Sequence, residues 1–448
     1  MQASSKKHKL AKMLTYKILP SSIYGRATVP PSKSQTLRAI LWAAVSQGLS
    51  TIENILYSPD SLAMINACKQ LGAQITLHST SLAILGSPQL VFPENTIIHA
   101  GNSGILFRFF TALAAAYSKN ITITGFPQLQ RRPIAPLLQS LINFGATFSY
   151  HKDEGSLPFT ISGPLSSGHT VISGEDSQYA SALAIACSLA DGLFSFTVSN
   201  PKELPWLRLT LWWLDQLHIP YVQSENTYSF PKKSRPQAFS YKVSGDFSSA
   251  AFLVAGALLS QSPYPTYLYN LNIQEMQGDK HLLFLLKKLG ANIIFENNHV
   301  IVYPSTFSGG HIDMDPFIDA LPILAVLCCF ATSPSYLYNA QSAKNKESNR
   351  ILAIAQELQK MGAWIQPCDD GLVINPSPLH GATLYSHEDH RIAMALSIAA
   401  LYATGESTIY ATDCVNKTFP NFVSTLTTLH AHIQENNEYL PMRPTHSW

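Results

Sequence analysis

The sequence has 448 residues, 46% of them hydrophobic, with 30 Lys and Arg against 28 Asp and Glu and a formal net charge of +2. This length predicts at least two domains, because a single domain usually contains about 100–200 residues. Only 13% of the residues are charged, against about 25% in ordinary globular proteins. The composition therefore excludes a disordered chain, a polybasic nucleic-acid-binding arm and an acidic tail.

The sequence contains no signal for a membrane or for secretion. The longest apolar runs, residues 250–259 and 320–331, are shorter than the roughly 18 residues of a membrane-spanning helix, so we expect buried core helices and no membrane partner. The first twelve residues are basic and lack the apolar segment of a signal peptide, which predicts a frayed tail and a cytoplasmic location. The six cysteines show no Cys-x-x-Cys spacing and are predicted to be free thiols, as expected in a reducing compartment.

A pattern of apolar helix, turn and alternating strand recurs along the chain. Such a pattern predicts α/β units whose helices end at a residue with positive φ, which glycine adopts easily and histidine tolerates. Subtraction of the turn residue numbers gives intervals of 73, 73, 72, 72 and 68. The turn residues are Gly72, Gly145, His218, Gly290, Gly362 and His430. Six such units predict two domains of three units each, with a boundary near the loop at residues 231–236.

Cationic side chains recur at the predicted starts of helices. Each segment alone is also explained by a capped surface helix, a solvated pair of arginines or an ordinary helical ion pair. Together they predict a cleft that binds more than one anion, because helix N-termini and cations both attract negative charge. The segments are residues 29–38, 100–108, 131–134, 344–350, 386–391 and 416–420.

Several local features of these segments give more specific expectations. Residues 131–134 predict a helix that begins at the proline, and the two arginines before it could form a clamp for a carboxylate or phosphate, although a solvated pair is slightly favoured. Glu347 lies three residues before Arg350, which could keep it ionised. Asp319, at the head of an apolar helix, is typical of an N-cap. Two histidines in residues 386–391 without further spaced ligands do not predict a metal site, and no nucleic-acid signature accompanies the cations.

Taken in order, these segments resemble the 5-enolpyruvylshikimate-3-phosphate (EPSP) synthase family of enolpyruvyl transferases. The similarity extends over nearly the whole chain, in residues 30–34, 245–250, 277–279, 346–350, 389–391 and 416–420. It implies an α/β fold of two inverted α/β barrels, built from six βαβαββ repeats, three per domain. It also moves the domain boundary: residues 1–31 and 246–448 would form domain I, residues 32–245 domain II, with the active site in the cleft between them.

The resemblance implies a defined reaction. The enolpyruvyl group of phosphoenolpyruvate would be transferred to the 5-hydroxyl of shikimate 3-phosphate by addition and elimination, releasing phosphate. Two anionic small-molecule substrates would explain the fixed cations. The resemblance implies no metal and no organic cofactor, and we expect a monomer without nucleic-acid or membrane partners.

The resemblance also implies roles for individual residues. A base at the 5-hydroxyl and a proton donor are required, and Asp319 and Glu347 align with them, with Lys33 as a further catalytic residue. The residues implied for shikimate 3-phosphate are Lys33, Ser34, Arg38, Ser177, Gln178, Asp319 and Lys346. Those implied for phosphoenolpyruvate are Lys33, Gly104, Arg132, Gln178, Arg350, Arg391 and Lys417.

Four positions depart from the family pattern and are left without a role. Asp176 stands where a phosphate-contacting serine is usual, and a carboxylate there would repel phosphate unless it points away. Glu203 and Arg208 replace a usual serine and aspartate of a substrate-facing loop, and Ser342 replaces an asparagine. These departures leave the geometry of shikimate binding open.

Two further departures flank the turn that would bind phosphoenolpyruvate. Ile105 and Phe109 occupy positions usually filled by threonine and proline. We expect this bulkier pair to shift Gly104 and to weaken inhibition by glyphosate, the competitor of phosphoenolpyruvate in the family.

Two alternative functions explain part of the same pattern. The UDP-N-acetylglucosamine enolpyruvyl transferases share the fold and phosphoenolpyruvate, but they place a catalytic cysteine in a loop that corresponds here to residues 104–132, where this sequence has none. A non-catalytic anion-binding relative would explain Asp176 and Glu203 but not the retained Lys33, Asp319 and Glu347. Saturable binding without phosphate release would favour this second alternative.

Overall fold

A computed structural model describes residues 10–441 except 88, 91, 118 and 119; the first nine residues of the predicted tail lie outside the described residues. Residues 10–12 are not frayed, because they begin a strand that pairs with the last strand of the chain. The strands are β1 Leu10–Leu19, β2 Gly25–Thr28, β3 Leu49–Glu53, β4 Gln74–Leu77, β5 Ser81–Leu85, β6 Ile97–His99, β7 Ile121–Thr124, β8 Thr147–Tyr150, β9 Phe159–Ser162, β10 Gly168–Ser173, β11 Phe194–Ser199, β12 Val222–Ser224, β13 Thr227–Phe230, β14 Ser240–Lys242, β15 Thr266–Tyr269, β16 Ile293–Phe295, β17 His299–Val302, β18 His311–Asp313, β19 Ser335–Tyr338, β20 Trp364–Cys368, β21 Gly371–Asn375, β22 Thr383–Tyr385, β23 Ser407–Tyr410 and β24 His432–Pro441.

The helices alternate with these strands. They are α1 Lys33–Val45, α2 Pro59–Gln70, α3 Gly104–Tyr117, α4 Pro127–Gln130, α5 Ala135–Asn143, α6 Ser177–Leu189, α7 Leu204–Gln216, α8 Phe247–Leu259, α9 Lys280–Lys288, α10 Leu321–Cys329, α11 Arg350–Lys360, α12 His390–Leu401 and α13 Phe422–Thr428. Short 3-10 helices cover Asp315–Ala320, Gln341–Asn345 and Thr412–Lys417. No helix of the described residues is long and apolar enough to span a bilayer.

The described residues form six four-stranded sheets with one common plan. In the sheet β6-β7-β9-β8, the first two strands are parallel and the last two strands pair antiparallel. With α3 and α5 between its strands, this unit has the order βαβαββ. The other sheets are β10-β11-β13-β12, β18-β19-β21-β20, β14-β3-β5-β4, β2-β15-β17-β16 and β22-β23-β1-β24. The predicted α/β fold of six repeats is confirmed.

The six predicted turn residues all end a helix with positive φ. The φ angles are 97° at Gly72, 93° at Gly145, 54° at His218, 111° at Gly290, 91° at Gly362 and 71° at His430. They follow α2, α5, α7, α9, α11 and α13, and each precedes a strand that pairs antiparallel with its neighbour. The periodic turns therefore mark the same place in all six units, as the sequence pattern predicts.

Each unit contains one buried helix and one helix at the surface. Nearly every residue of α1, α3, α6, α8, α10 and α12 is buried, so these helices lie inside and the sheets lie outside. In α11, by contrast, Ile351, Ile354 and Leu358 line a single buried face. Such a stripe is typical of a helix packed on one side against a core. This arrangement of helices inside and sheets outside agrees with the inverted plan that the resemblance implies.

The buried side chains form two separate cores, and the chain crosses between them twice. One core contains residues 16–29 and 247–433, and the other contains residues 37–243. The two crossing segments lie side by side: the Ser32 N–H donates to Ser244 O at 2.8 Å, and the Asp246 N–H donates to Pro30 O at 2.9 Å.

A boundary at residues 231–236 is wrong. β14, which follows that loop, pairs in parallel with β3 and belongs to the same sheet. The domain limits at residues 31 and 246 stay a prediction, and the two cores and the two crossings are the observations that support it.

Candidate active site

The thirteen residues implied for the site all line one cavity between the two cores. They are Lys33, Ser34, Arg38, Gly104, Arg132, Ser177, Gln178, Asp319, Lys346, Glu347, Arg350, Arg391 and Lys417. The cavity lining contains seven Lys and Arg side chains against five carboxylates, which leaves two positive charges in excess. A cleft with this balance attracts anions.

The cavity lies where the buried helices begin. Its lining includes residues of the first turn of α1, α3, α6, α8 and α12, and Asp319 two residues before α10. Each helix N-terminus presents free N–H groups and the positive end of a helix dipole. One buried helix from each of the six repeats therefore directs its positive end towards the same place, which is a structural reason for an anion site here.

Short polar side chains fix these helix starts. Ser32 accepts a hydrogen bond from the Gln35 N–H at 3.4 Å and caps α1. Asp389 accepts from the Arg391 N–H at 2.9 Å and caps α12. Asp389 therefore positions Arg391 through its backbone.

The two cores contact each other across the cavity in this structure. Arg132 pairs with Glu347 at 2.9 Å, and the Lys417 ammonium donates to Asn102 O at 3.0 Å. The remaining cavity volume is about 70 Å³, whereas ligand pockets usually measure about 300–1,000 Å³. The cavity between the two cores is therefore smaller here than a typical ligand pocket.

Arg350 is the central cation of the site. Its guanidinium pairs with Asp319 at 2.7 Å, with Glu347 at 2.8 Å and with Asp389 at 2.8 Å, and its side chain is buried. The predicted ion pair between Glu347 and Arg350 is therefore present. Three carboxylates around one buried guanidinium hold the Arg350 side chain in a single position.

Glu347 is surrounded by cations. Besides Arg350 it contacts Arg132 at 2.9 Å and Lys417 at 2.8 Å. Burial raises the pKa of this carboxyl, but Arg132, Lys417 and Arg350 outweigh burial and hold the pKa well below its usual range. In this arrangement Glu347 is ionised.

Asp319 is held in the same way by two arginines. Its second oxygen accepts from Arg391 at 2.8 Å. Burial raises the pKa of Asp319, whereas the Arg391 and Arg350 guanidiniums lower it by more, so the net pKa lies below its usual range. Asp319 is therefore an ionised carboxylate that can accept a proton once its arginines are engaged elsewhere.

Lys33 and Arg38 are the buried cations at the start of α1. Burial and the nearby Lys417 lower the pKa of Lys33, which lies 3.7 Å from Asp60. Arg38 donates to the Thr210 hydroxyl at 3.0 Å, and no carboxylate within the described part of the chain forms an ion pair with it. A buried guanidinium without a counter-ion is suited to a substrate anion.

The cavity wall around Ser177 and Lys346 contains Glu203, a carboxylate to which no role was assigned from the sequence. Glu203 accepts from Lys346 at 2.6 Å and from the Ser177 hydroxyl at 3.2 Å. Asp176 points elsewhere, because it caps α6 and pairs with Arg108 at 3.2 Å. Asp176 does not line this cavity, so its carboxylate points away from it.

Some local expectations are wrong. α5 begins at Ala135, so Pro133 precedes the helix, and its carbonyl accepts from Arg108 at 2.9 Å. Arg131 does not line the cavity with Arg132, and the two do not form a clamp. Asp319 lies in a 3-10 helix and is not the N-cap of α10, because the two guanidiniums of the site bind its carboxylate.

Several lining residues were missed by the sequence analysis. Asp60 reaches the cavity from the start of α2, and Trp206 and Ser248 from α7 and α8. His390 also lines the cavity, and burial lowers the pKa of its ring well below the usual range, so it is neutral. Of these four, Ser248 and His390 lie in segments with a family pattern, residues 245–250 and 389–391, so only these two had a signal. Among the described residues, no group of three or more His, Cys, Asp or Glu side chains is arranged to hold a metal ion.

Because the resemblance assigns Gly104 to phosphoenolpyruvate, replacement of this residue by alanine is expected to weaken binding of that substrate. A methyl group there would lie 2.8 Å from one nitrogen each of Arg108 and Arg132, and these side-chain ends would move while the fold persists. We expect KM for phosphoenolpyruvate to rise about tenfold, the cost of one weakened charge-assisted hydrogen bond, with less change for shikimate 3-phosphate. The control is Gly310→Ala, where nothing lies within 4 Å. Equal KM values for Gly104→Ala and wild type would contradict the assignment.

Asp279 is expected to make stability depend on pH. It is buried beside Ser248, and burial and then Asp319 raise its pKa to about 7, against about 3.9 in an unfolded chain. The native state therefore binds more protons between those values, and stability falls as pH rises through this window. Asp279→Asn should raise the urea midpoint at pH 8 more than at pH 5. Parallel pH profiles for variant and wild type would count against a protonated Asp279.

Comparison with known proteins gives the family. The sequence model described as EPSP synthase (3-phosphoshikimate 1-carboxyvinyltransferase) matches residues 19–426. The 3-phosphoshikimate 1-carboxyvinyltransferase of Chlamydia abortus is 72% identical over 435 residues, which are 97% of this chain and 98% of that protein. The corresponding protein of Chlamydia caviae is 70% identical over 436 residues, 97% of this chain and 98% of that protein.

A solved structure agrees with these sequence relatives. The EPSP synthase of Acinetobacter baumannii matches with a TM-score of 0.80 and 26% identity, over 94% of this chain and 100% of that chain. The resemblance inferred from the ordered motifs is thereby confirmed. The chain belongs to the EPSP synthase (3-phosphoshikimate 1-carboxyvinyltransferase) family.

Proposed function

We propose that this chain transfers the enolpyruvyl group of phosphoenolpyruvate to the 5-hydroxyl of shikimate 3-phosphate, releasing phosphate, in the shikimate pathway to chorismate and the aromatic amino acids. The observation that supports this most directly is the meeting of seven cations and the starts of the buried helices at one cavity, in a chain of the EPSP synthase family. Such a cavity suits two anionic substrates held at once.

The two substrates occupy opposite sides of the cavity in this proposal. Ser34, Arg38, Ser177 and Lys346 bind shikimate 3-phosphate, and Gln178 lies between the two sides. Gly104, Arg132, Arg350, Arg391 and Lys417 bind phosphoenolpyruvate, and Lys33 contacts both. The division agrees with the ion pairs, because the second group surrounds Glu347 and Asp319 whereas Lys346 contacts Glu203.

Asp319 acts as the base in the addition step. Arg350 and Arg391 now neutralise its carboxylate at 2.7 Å and 2.8 Å. When phosphoenolpyruvate engages these guanidiniums, Asp319 loses its counter-ions and its pKa rises, since opposite charges had lowered it. A carboxylate with a higher pKa accepts the proton of the 5-hydroxyl more readily.

Glu347 and Lys33 deliver and remove the proton at the methylene carbon. Glu347 is ionised while Arg132 and Lys417 contact it, so it gains a proton only after phosphoenolpyruvate takes over these cations. Lys33 has a lowered pKa because of burial and Lys417, which suits a lysine that exchanges protons near neutral pH. In the elimination step the methyl group gives its added proton back to these residues, and phosphate leaves with the proton that Asp319 took from the 5-hydroxyl.

The proposal is tested by measuring phosphate release from the purified chain. Phosphoenolpyruvate is supplied alone, with shikimate 3-phosphate, and with UDP-N-acetylglucosamine. We expect release only with shikimate 3-phosphate. Release with the nucleotide sugar would favour the other enolpyruvyl transferase, and saturable binding without release would favour a non-catalytic relative.

Ile105 is expected to weaken glyphosate inhibition. It lines the cavity next to Gly104, and the Phe109 ring lies 5.2 Å from the Arg38 guanidinium carbon. Ile105→Thr should lower the inhibition constant for glyphosate about tenfold, the range of one methylene in a tight pocket. The prediction fails if the wild-type chain is already as sensitive as the variant.

The remaining expectations concern the chain as a whole. The monomeric state and the cytoplasmic location stay predictions. Sedimentation at micromolar concentration tests the first, and fractionation of the producing cell tests the second.

A further inference from the structure

Glu203 forms hydrogen bonds with two side chains that the proposed function assigns to shikimate 3-phosphate. It lies in the loop between β11 and α7 and lines the cavity. One carboxylate oxygen accepts from the Lys346 ammonium at 2.6 Å, and the other accepts from the Ser177 hydroxyl at 3.2 Å. Both partners belong to the set for shikimate 3-phosphate. The protein therefore places its own anion where a substrate anion would be bound.

The backbone holds Glu203 in this place. Its φ and ψ angles are 51° and 34°, a left-handed conformation that residues other than glycine adopt rarely. Its N–H donates to the Asp315 carboxylate at 3.0 Å, and only 2% of its surface is exposed. A strained conformation of a buried glutamate persists only where its contacts fix it. The position of the carboxylate is thus determined by the fold.

Charged groups from several elements face this glutamate. Lys346 pairs with it directly, Asp315 accepts its N–H, and Asp176 and Arg108, from the starts of α6 and α3, act at longer range. Burial raises the pKa of the Glu203 carboxyl most, Lys346 lowers it, and Asp176 raises it again, with a net rise. A phosphate placed beside the carboxylate adds further negative charge.

A buried carboxylate and a phosphate that share two partners cannot both keep their full charge. Like charges at contact distance force one of the pair to hold a proton, as two carboxylates at one site do. We propose that Glu203 determines how shikimate 3-phosphate binds, and this proposal rests on the function proposed above. Its side chain competes with the substrate phosphate for Ser177 and Lys346, and binding takes up one proton into the pair of carboxylate and phosphate.

The neighbouring Asp176 does not have this role. It also stands where a serine is usual, but its carboxylate caps α6 and pairs with Arg108 at 3.2 Å. Asp176 lines a second cavity, which shares Lys346 with the first. The competition therefore involves one of the two unusual carboxylates, and the two can be separated by mutation.

Calorimetric titration of shikimate 3-phosphate into the full chain tests the proposal. Titration at pH 8 in buffers of different ionisation enthalpy gives the number of protons taken up. We expect the uptake of close to one proton per bound substrate for wild type and of close to none for Glu203→Gln. The affinity of Glu203→Gln for shikimate 3-phosphate should be about tenfold higher at pH 8, one pKa unit of lost competition, and the gain should shrink at pH 6. KM for phosphoenolpyruvate should stay unchanged.

The matched control is Glu357→Gln, a buried glutamate that pairs with Lys360 and His387 outside the cavity; it should titrate like wild type. Equal proton uptake and affinity for wild type and Glu203→Gln would overturn the proposal. If Glu203→Gln does not fold, the proton uptake of the wild type alone tests the proposal. Binding of shikimate 3-phosphate to the wild type without proton uptake would overturn it. A wild type that does not bind shikimate 3-phosphate at all contradicts the proposed function, and this inference with it.

Discussion

Asp319→Asn should lower kcat for phosphate release by about 10²- to 10⁴-fold, the usual contribution of a general base. The substitution keeps the shape of the side chain but removes the charge that binds Arg350 and Arg391. An amide cannot accept the proton of the 5-hydroxyl, so the addition step lacks its base. Steady-state rates with both substrates saturating measure the effect.

The control for this variant lies six residues earlier. Asp313→Asn makes the same chemical change at the exposed end of β18, where the carboxylate contacts Asn339 and not the cavity. Its kcat should match wild type, with both variants folded by circular dichroism. An Asp319→Asn variant that keeps more than about a tenth of wild-type kcat would refute the role of the base.

Arg350→Met should be the most destabilising change in the site. Asp389 is fully buried and would keep two hydrogen-bond donors, the Ser348 hydroxyl and the backbone N–H of Arg391. It would lose the Arg350 guanidinium, the only guanidinium that pairs with it among the described residues. A buried carboxylate left without its cation costs about 3–5 kcal/mol. The midpoint of urea unfolding at pH 7 measures the loss, and KM for phosphoenolpyruvate should rise in the remaining folded protein.

Lys344→Met is the comparison for Arg350→Met. Lys344 pairs with Asp369 at 3.8 Å, and the aspartate side chain is fully exposed. Exposed pairs contribute little, because water and salt screen them, so the urea midpoint should not change measurably. Equal midpoints for both variants would contradict the claim that buried Asp389 depends on the Arg350 guanidinium.

Local patterns in the sequence predicted the repeat and the site together. The turn at Gly290 and its five equivalents follow from a local rule, since the end of a helix needs a residue with positive φ. The cations of the site were also visible, because each lies near the start of a helix and polar residues that start helices are recognisable. The thirteen positions meet in one cavity because all six units place the same end of a helix there.

Features set by distant contacts could not be predicted in the same way. β14 joins β3 although about 190 residues separate them, and nothing in the local pattern indicates that partner. Asp319 follows the N-cap pattern, but its two arginines override the local preference. Glu203 reaches Lys346 only because a left-handed residue turns its loop into the cleft, a conformation that local propensity disfavours for glutamate.

The central claim is group transfer between two substrates, and one measurement tests it most directly. Phosphorus NMR follows the chain incubated with equal amounts of phosphoenolpyruvate and shikimate 3-phosphate. We expect both signals to decline together while inorganic phosphate and a new phosphate monoester, the enolpyruvyl derivative of shikimate 3-phosphate, appear in equal amounts. Phosphate that accumulates while the shikimate 3-phosphate signal stays constant would mean hydrolysis, and would contradict transfer.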